Sequence, residues 1–229
     1  MVTRANSSRA EGRTTLSRER VLLKAVDVAD RDGLEGLSMR RLGQELGVDA
    51  MALYRHVQSK DDLLDGIIEV VVGQIDRVSP RDDWKAALRE QVMAAREVML
   101  RHPWAKQVLE ERGTAGTAVI AYIDGILAIV RGGGFSLDLS HHTLHVLGSR
   151  IVGFSQDLFE DKASEPPPPE VAALLSRTIA QYPYVAEIAG SVSHDGVLGA
   201  CDDDVEFAFG LDLILDGLER TLSRDARIA

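Results

Sequence analysis

The sequence is poor in two residue types that mark common functional classes. Of its 229 residues, one is cysteine and 5% are aromatic. A single cysteine, Cys201, excludes an internal disulfide and a zinc site built on paired thiolates, so we expect a packed or half-exposed thiol there. The low aromatic content, with 45% apolar residues, is typical of a helical globular protein.

Long apolar runs are also missing from the sequence. No run reaches the roughly eighteen apolar residues of a membrane span, and no charged segment followed by an apolar one opens the chain. A cytoplasmic protein with no membrane partner is therefore predicted. The period of two that marks strands is absent as well, whereas apolar residues recur at helical spacing, so the predicted fold class is all-α.

Basic residues are outnumbered by acidic ones, but the two kinds are unevenly distributed. The chain has 26 Lys and Arg against 36 Asp and Glu, which gives a net charge of −10. Residues 1–66 carry 11 side chains of each sign, whereas residues 67–229 carry 15 basic and 25 acidic ones. An acidic body with a neutral or basic tip orients a protein on DNA and suppresses binding elsewhere on its surface.

Residues 38–60, SMRRLGQELGVDAMALYRHVQSK, are the one stretch whose order implies a specific partner. Ser38 is placed to cap a first helix over residues 39–46, and Gly47, which tolerates the left-handed conformation, ends that helix. An aspartate then caps a second helix over residues 50–57. Two short helices joined by a tight turn that contains glycine form a helix-turn-helix motif.

The second of these helices has the composition of a DNA-reading element. Its first residues are small or flexible and uncharged, so the N-terminus of the helix can approach base edges and the methyl group of thymine. Hydroxyl, guanidinium and imidazole donors follow, near the expected path of the phosphate backbone. The predicted DNA-contacting residues are Ser38, Arg40, Ala50, Met51, Ala52, Tyr54, Arg55, His56 and Lys60. The alternative is that these residues form only a charged surface on a small helical hairpin.

Two of the basic residues in this set have distinct predicted roles. Arg40, in the first turn of the motif, is the best candidate for reading a base, since a bidentate contact to guanine contributes about 1–3 kcal/mol of discrimination. Lys60 begins the next helix, where its ammonium group and the helix N-terminal amides face a phosphate together.

These residues also match the pattern of a known family. Ala-Leu-Tyr-Arg-His-Val at 52–57, followed by Ser-Lys at 59–60 and Leu-Leu at 63–64, resembles the signature of TetR-family transcriptional regulators. The resemblance begins near Arg20, with RVLLKAVDVADRDGLEGLSMRRLGQELGV. It implies a helical DNA-binding domain made of three helices.

The C-terminal part of the chain resembles the ligand-binding half of the tetracycline repressors, most clearly at residues 139–161 and 204–222. The resemblance implies that a small effector enters the helical core, shifts the helix predicted over residues 59–76, and changes the separation of two recognition helices. In tetracycline repressors a histidine in the region equivalent to 106–112 helps to hold the drug-bound magnesium. That stretch is KQVLEER here, which argues against tetracycline–magnesium as the effector, and no cofactor is expected.

Three segments are predicted along the chain: a flexible basic arm over residues 1–16, the helix-turn-helix domain over residues 17–64, and a helical effector-binding and dimerisation domain over residues 65–229. The arm is polar and aperiodic, and its arginines either reach a minor groove or belong to a solvated tail. A proline-rich linker and a loop rich in Gly and Ser are predicted at residues 162–169 and 190–199. The remaining helices are predicted over residues 17–33, 59–76, 84–101, 104–112, 114–131, 137–160, 170–181 and 202–223.

The effector site is predicted where polar residues interrupt apolar helices, because such pockets combine an apolar lining with a few polar groups. The candidates are Trp104, Leu109, Tyr122, Phe135, His145, Val146, Ser149, Arg150 and Phe154, with His141 and Gln156 as further polar ones. The spacing of His141 and His145 suits a divalent metal, but no HExxH glutamate and no Cys or Asp ligand pair completes a site. We therefore predict that these histidines and His142 are ordinary polar or interface residues.

An interface between two copies of the chain is predicted from an apolar stripe on the last helix and from glycines that allow another helix to approach. The residues are Gly148, Gly153, Phe207, Leu211, Ile214, Leu215 and Leu218. This prediction requires that the stripe is exposed in a single protomer, and the alternative is that the stripe belongs to the core. Dimerisation also suits a palindromic site, on which two recognition helices sit one or more helical turns apart.

The sequence thus predicts a homodimeric, sequence-specific DNA-binding transcriptional regulator, a repressor that a small molecule releases from a palindromic operator. An enzyme using Asp157, His145 and Ser149 is the first alternative, but no nucleophile elbow, metal triad or phosphate loop is present. Even the three consecutive glycines at 132–134 follow a helix and lack the phosphate-loop lysine. The second alternative is a helical adaptor that binds protein without recognising DNA.

Overall fold

The computed structural model describes residues 15–112, 116–153, 168–192 and 203–227, and gives only the backbone of residues 149–153, 175 and 188–192. No strand occurs in these ranges, which confirms the all-α fold class. The helices are α1 Arg18–Gly36, α2 Met39–Leu46, α3 Ala50–Leu53, α4 Lys60–Val72, α5 Trp84–Arg101, α6 Ala105–Arg112, α7 Thr117–Gly132, α8 Leu137–Gly153, α9 Pro169–Ile179, α10 Pro183–Val192 and α11 Asp203–Asp225.

Side-chain caps fix where the first helices begin. The Ser17 hydroxyl accepts a hydrogen bond from the Arg20 amide at 3.2 Å, and Ser59 accepts one from the Asp62 amide at 3.0 Å. Such caps satisfy amides that have no partner inside the helix. Helical geometry in α1 is interrupted at Gly33, where φ is 71°, close to the predicted end of this helix.

The C-terminal region differs from the prediction at α10, because no helix was predicted between residues 181 and 202. Pro183 occupies its first position, where a fixed φ favours helix initiation and the missing amide proton would have no helical partner. The Gly190–Ser191 pair, predicted to begin a loop, lies within this helix. Most of the predicted loop, the end of the predicted helix 137–160 and nearly all of the proline-rich linker fall outside the described residues, as does most of the N-terminal arm.

Two compact units make up the chain. Unit 1 combines Met1–Asp76 with Glu97–Tyr122, and unit 2 combines Arg77–Arg96 with Ile123–Ala229. In unit 1, α1 packs on both α2 and α4. The contact with α4 is tight, because a Cβ added at Gly66 would lie 2.5 Å from the Leu22 side chain.

Unit 2 is held together by aliphatic and aromatic packing with ion pairs at its edge. Trp84 and Phe135 pack edge to face, with ring centroids 4.7 Å apart. Basic residues of α5 pair with acidic residues of α11: Lys85 Nζ lies 2.6 Å from Asp216, and Arg89 Nε lies 2.8 Å from Asp212. No single described helix has both the length and the apolarity needed to cross a membrane, and only α6 and α7 taken as a pair pass that test.

Candidate DNA-binding site and effector-binding residues

The predicted helix-turn-helix consists of α2, a tight turn and α3. Gly47 takes the left-handed conformation with φ 67°, and the amide of Val48 donates to the Gly43 carbonyl at 2.9 Å. The Asp49 carboxylate accepts a hydrogen bond from the Met51 amide at 2.7 Å and so caps α3. Glycine at the turn and aspartate at the cap therefore act as the sequence indicates.

Gly43 allows the two helices of the motif to approach each other. A Cβ at this position would lie 2.9 Å from the Val48 carbonyl oxygen and 3.2 Å from the Ala50 amide nitrogen. Both atoms belong to the backbone and cannot rotate away. Sequence reasoning did not single out Gly43, although a glycine inside an eight-residue helix is a signal for a close approach, since it destabilises the helix otherwise.

The recognition helix is shorter than predicted: α3 ends at Leu53 rather than near Val57. The His56 amide donates to the Leu53 carbonyl at 2.8 Å, a bond between residues three apart that tightens the chain into a turn. Leu53 and Val57 are both fully buried, so this turn keeps two apolar anchors in the core. Tyr54 and Arg55 consequently lie in the turn after the helix, where both are exposed.

The predicted DNA-contacting residues of this motif lie at the protein surface. The Met51 side chain is 71% exposed and that of Tyr54 is 45% exposed. Ala50, Ala52 and His56 are half-buried. An exposed, apolar methionine at the start of a recognition helix is suited to contact the methyl group of thymine.

Neighbouring arginines of α2 have different surroundings. Arg41 Nη2 lies 3.0 Å from the Glu45 carboxylate and 3.6 Å from that of Asp32, so its charge is paired with carboxylates of unit 1. Arg40 forms no hydrogen bond or ion pair with any residue that the structure describes, and it is exposed. The Ser38 hydroxyl accepts from the Arg41 amide at 3.2 Å, which makes it the cap of α2.

Arg18 of α1 supports the turn after the recognition helix. Arg18 donates to the His56 carbonyl at 2.7 Å and to both oxygens of the Asp62 carboxylate, at 2.6 and 3.0 Å. Asp62 also accepts from the Gln58 amide at 2.7 Å. The hydrogen bond from Arg18, followed by that from Gln58, holds the pKa of the Asp62 carboxyl below its usual range. Sequence reasoning missed this link, because its partners lie far apart in the chain.

Lys60 opens α4 and is exposed, with no hydrogen bond or ion pair to another described residue. It lines a cavity of about 560 Å³ in unit 1, together with residues of the end of α1, the start of α4 and α6. Arg112 of α6 also lines this cavity and is bonded to two carboxylates of α4. Its Nη1 lies 2.9 Å from Asp61, and its Nη2 lies 3.0 Å from Asp65.

Trp104, predicted as a wall of the effector pocket, is buried and bonded to α1. Its indole N–H donates to Asp30 Oδ1 at 2.6 Å, and His102 Nδ1 lies 2.7 Å from the same oxygen. The other ring nitrogen of His102 lies 3.2 Å from Gln74 Oε1. This cluster fastens the corner between α5 and α6 to α1 and to Gln74, two residues after the end of α4. Trp104 does not line either cavity described in unit 1.

The other effector candidates are divided between the units. Leu109 lines a cavity of about 180 Å³ in unit 1, together with residues of α4 and α6. Tyr122 also belongs to unit 1, and its hydroxyl oxygen is buried. In unit 2, Phe135 is buried, whereas His145 and Val146 are exposed on α8. The side chains of Ser149 and Arg150 and the whole of Phe154 and Gln156 lie outside the described residues.

The three histidines of α8 are exposed and close together. The rings of His141 and His145 have centroids 4.6 Å apart, and His142 Nε2 lies 3.6 Å from the Asp138 carboxylate. Within the described ranges no group of three or more His, Cys, Asp or Glu side chains has the arrangement to hold a metal ion.

The predicted dimer stripe on α11 lies mostly inside the protomer. Phe207, Leu211, Leu215 and Leu218 are buried, and Ile214 is half-buried, so the exposure on which that prediction depended is not met. A different face of the same helix is open, since Val205, Phe209 and Leu213 are between 55% and 61% exposed. Gly148 on α8 is exposed, with no atom within 4 Å of an added Cβ, whereas the surroundings of Gly153 are not described. Helical spacing identified an apolar stripe but not the surface that covers it.

Comparison with known families gives two matches that together span most of the chain. Residues 21–67 match the family described as "Bacterial regulatory proteins, tetR family". Residues 78–222 match the family described as "Tetracyclin repressor-like, C-terminal domain". The first match contains the helix-turn-helix and the start of α4, and the second contains α5 to α10 and most of α11.

Individual relatives agree with these matches over nearly the whole chain. The transcriptional repressor DrrR1 of Streptomyces coeruleorubidus is 31% identical over 212 residues, which cover 90% of this chain and 78% of DrrR1. The class C tetracycline repressor of Escherichia coli is 29% identical over 210 residues, 90% of this chain and 91% of the repressor. The structure of ActR from Streptomyces coelicolor in complex with actinorhodin has a TM-score of 0.70 at 24% identity, covers 90% of this chain and 96% of ActR, and shows the same fold.

Proposed function

The chain belongs to the TetR family of bacterial regulatory proteins, and from that premise we propose that it is a homodimeric repressor released from a palindromic operator by a small-molecule effector. The observation that carries the proposal is the helix-turn-helix, with Arg40 and Met51 exposed along it and Lys60 exposed at the start of α4. We propose that the protein acts in the cytoplasm, where it binds its operator, and that it has no catalytic activity.

DNA reading is assigned to surface groups that have no role inside the protein. Arg40 is unpaired within the described residues, so its guanidinium reaches a guanine without first breaking an ion pair. Met51 and the flanking alanines present an uncharged helix end to the base edges. Tyr54, Arg55 and His56 in the following turn, and Lys60 at the start of α4, contact phosphates.

Arg40→Ala is expected to relax base preference at one position of each half-site. Loss of a bidentate contact to guanine lowers discrimination at that position by about 1–3 kcal/mol, while other positions keep their preference. Competition between the selected operator and its single-base variants measures this change. Arg41→Ala, on the same helix but with its charge engaged by Glu45, is the matched control. An unchanged preference in Arg40→Ala would remove Arg40 from the base-reading set.

Lys60→Ala is expected to weaken binding to all sequences alike, because a phosphate contact carries no sequence information. The slope of log K against log salt should fall by about one for each phosphate contact that is lost. Salt titrations of operator and unrelated DNA test this expectation. Lys24→Ala serves as the control, since Lys24 already pairs with Asp27 at 2.7 Å on α1. Selective loss of operator binding in Lys60→Ala would instead make Lys60 a base reader.

Dimerisation is proposed through the open face of α11 together with α8. Phe209 and Leu213 lie four residues apart on α11, and both are more than half exposed. Gly148 on α8 leaves room for a second helix to approach. A two-fold dimer matches the symmetry of a palindromic operator.

Release by an effector is supported by the relatives and by the link between α6 and α4. ActR has been solved with actinorhodin, and the class C relative is named as a tetracycline repressor. Here Arg112 of α6 bonds to Asp61 and Asp65 of α4, next to Lys60. Movement of α6 on ligand binding would therefore be transmitted through Arg112 to the first turn of α4, which contacts DNA. Among the residues predicted for the pocket, Leu109 and Tyr122 lie in the unit that contains this link, and the candidates on α8 remain part of the proposal.

A further inference from the structure

Arg18, the first residue of α1, is bonded to two segments that are proposed to contact phosphates. Its Nη1 donates to the His56 carbonyl at 2.7 Å, in the turn after the recognition helix. The same guanidinium donates to both oxygens of the Asp62 carboxylate, at 2.6 and 3.0 Å, in the first turn of α4. One planar group therefore joins the turn to the start of α4.

Asp62 completes this arrangement from the side of α4. Its Oδ2, which accepts from Arg18, also accepts from the Gln58 amide at 2.7 Å, and its own amide donates to the Ser59 hydroxyl at 3.0 Å. The segment 56–62 is thus bonded at its first residue, near its middle and at its last residue, and Arg18 takes part at both ends.

These bonds determine how far apart the side chains proposed to contact phosphates are held. Tyr54 and Arg55 are exposed just before the segment, and Lys60 is exposed within it. Phosphate contacts fix the register and orientation of a protein on the duplex, so the two groups of contacts must form together. Side chains that are held in place before binding lose less conformational freedom on binding, and affinity is correspondingly higher.

An arginine at this place could instead stabilise the fold or attract DNA by its charge. The Arg18 side chain is 45% exposed and that of Asp62 is 28% exposed, and ion pairs with this degree of exposure contribute little to global stability. The positive charge of Arg18 is offset by the Asp62 carboxylate, which leaves little net charge to attract a phosphate. Both observations favour a role through position.

We propose that Arg18 is a positioning residue for DNA binding, which holds the turn after the recognition helix and the first turn of α4 at the separation that lets Tyr54, Arg55 and Lys60 contact phosphates of one half-site together. The inference deepens the proposed function and rests on it for the DNA contacts. Because Arg18 acts through phosphate-contacting side chains, its loss should affect operator and unrelated DNA alike.

Three variants separate positioning from the other two roles: Arg18→Lys, Asp62→Asn and the double variant. Arg18→Lys keeps the charge but lacks the planar fork that bonds a carbonyl and both oxygens of a carboxylate. Asp62→Asn removes a negative charge, so attraction alone predicts tighter binding to DNA. Glu19→Gln, an exposed neighbour of Arg18 in the first turn of α1, is the matched control for the loss of a carboxylate charge.

Gel-shift titrations with operator and unrelated DNA, under conditions in which circular dichroism shows every variant folded, measure the effects. Arg18→Lys and Asp62→Asn should each bind both DNAs about five- to tenfold more weakly than wild type, the size of one hydrogen bond. The double variant should lose no more than either single variant, because the two residues act as one unit. Glu19→Gln should bind at least as tightly as wild type.

Four results would each overturn the proposal. They are tighter binding by Asp62→Asn, wild-type affinity in Arg18→Lys, additive losses in the double variant, and losses confined to the operator.

Hydrogen exchange without DNA separates this proposal from the proposed function. The amides of His56 and Val57 donate to the Leu53 carbonyl, and that of Gln58 donates to Asp62. These three amides should exchange faster in Arg18→Lys and Asp62→Asn than in wild type and Glu19→Gln. If wild type binds DNA and the exchange is unchanged, only the positioning role is wrong. If wild type binds no DNA, the repressor proposal fails and the positioning role fails with it, whatever the exchange shows.

Discussion

Replacement of Gly43 with alanine is expected to weaken operator binding by more than about tenfold, since overpacking a tight contact costs about 1–3 kcal/mol. The added methyl group would meet the Val48 carbonyl oxygen at 2.9 Å and the Ala50 amide nitrogen at 3.2 Å. Because both are backbone atoms, α2 and α3 must move apart, and the base-reading residues on the two helices then lose their mutual positions. Gel-shift titration of the selected operator measures the loss.

Gly125→Ala is the matched control for this substitution. Gly125 lies within α7, and an added Cβ there has no atom within 4 Å. Alanine is preferred over glycine inside a helix by about 0.5–1 kcal/mol, so this variant should be as stable as wild type or more so, with unchanged operator affinity. Equal operator binding by Gly43→Ala and Gly125→Ala would show that the contact between α2 and α3 relaxes without consequence.

Replacement of Asp30 with alanine is expected to destabilise the protein by roughly 2–4 kcal/mol, because it removes the acceptor of two buried donors. The Asp30 carboxylate accepts from the Trp104 indole at 2.6 Å and lies 2.7 Å from His102 Nδ1. His102 and Trp104 are each less than a tenth exposed, whereas the Asp30 side chain is 32% exposed, so water replaces the lost acceptor only in part. Urea unfolding followed by tryptophan fluorescence and by circular dichroism measures the change.

Asp27→Ala, three residues earlier on α1, controls for the loss of a carboxylate. Asp27 is 60% exposed and pairs with Lys24 at the surface, an interaction that contributes about 0–1 kcal/mol. It should therefore unfold close to the wild-type urea concentration. If Asp30→Ala unfolded together with Asp27→Ala, the cluster around Asp30 would be too hydrated to fasten the corner of α5 and α6 to α1.

The helix-turn-helix was predictable from the sequence because its signals are local. Ser38 before α2, Gly47 after it and Asp49 before α3 each form the predicted cap with residues two to four positions away. The length of α3 was wrong by about one turn, because the burial of Leu53 and Val57 on a tightened turn depends on the core beneath them.

Contacts between distant residues could not be predicted in the same way. Arg18 and Asp62 are separated by 44 residues, and Asp30 and Trp104 by 74, so no spacing rule relates them. Periodicity also does not distinguish an apolar stripe that faces the core from one that faces a second copy of the chain. The stripe containing Leu211 on α11 shows this. Its apolar residues follow the predicted helical spacing, but most of them are buried within the protomer and are not left exposed for a second copy of the chain.

Selection of bound DNA from a random pool by the purified full-length chain tests the central claim most directly. A homodimer with one recognition helix in each copy should recover an inverted repeat, with half-site centres about one helical turn of DNA or a multiple of it apart. Recovered sites should also bind less tightly as salt increases. Recovery of no sequence above background at low salt would contradict the claim that this chain is a DNA-binding repressor.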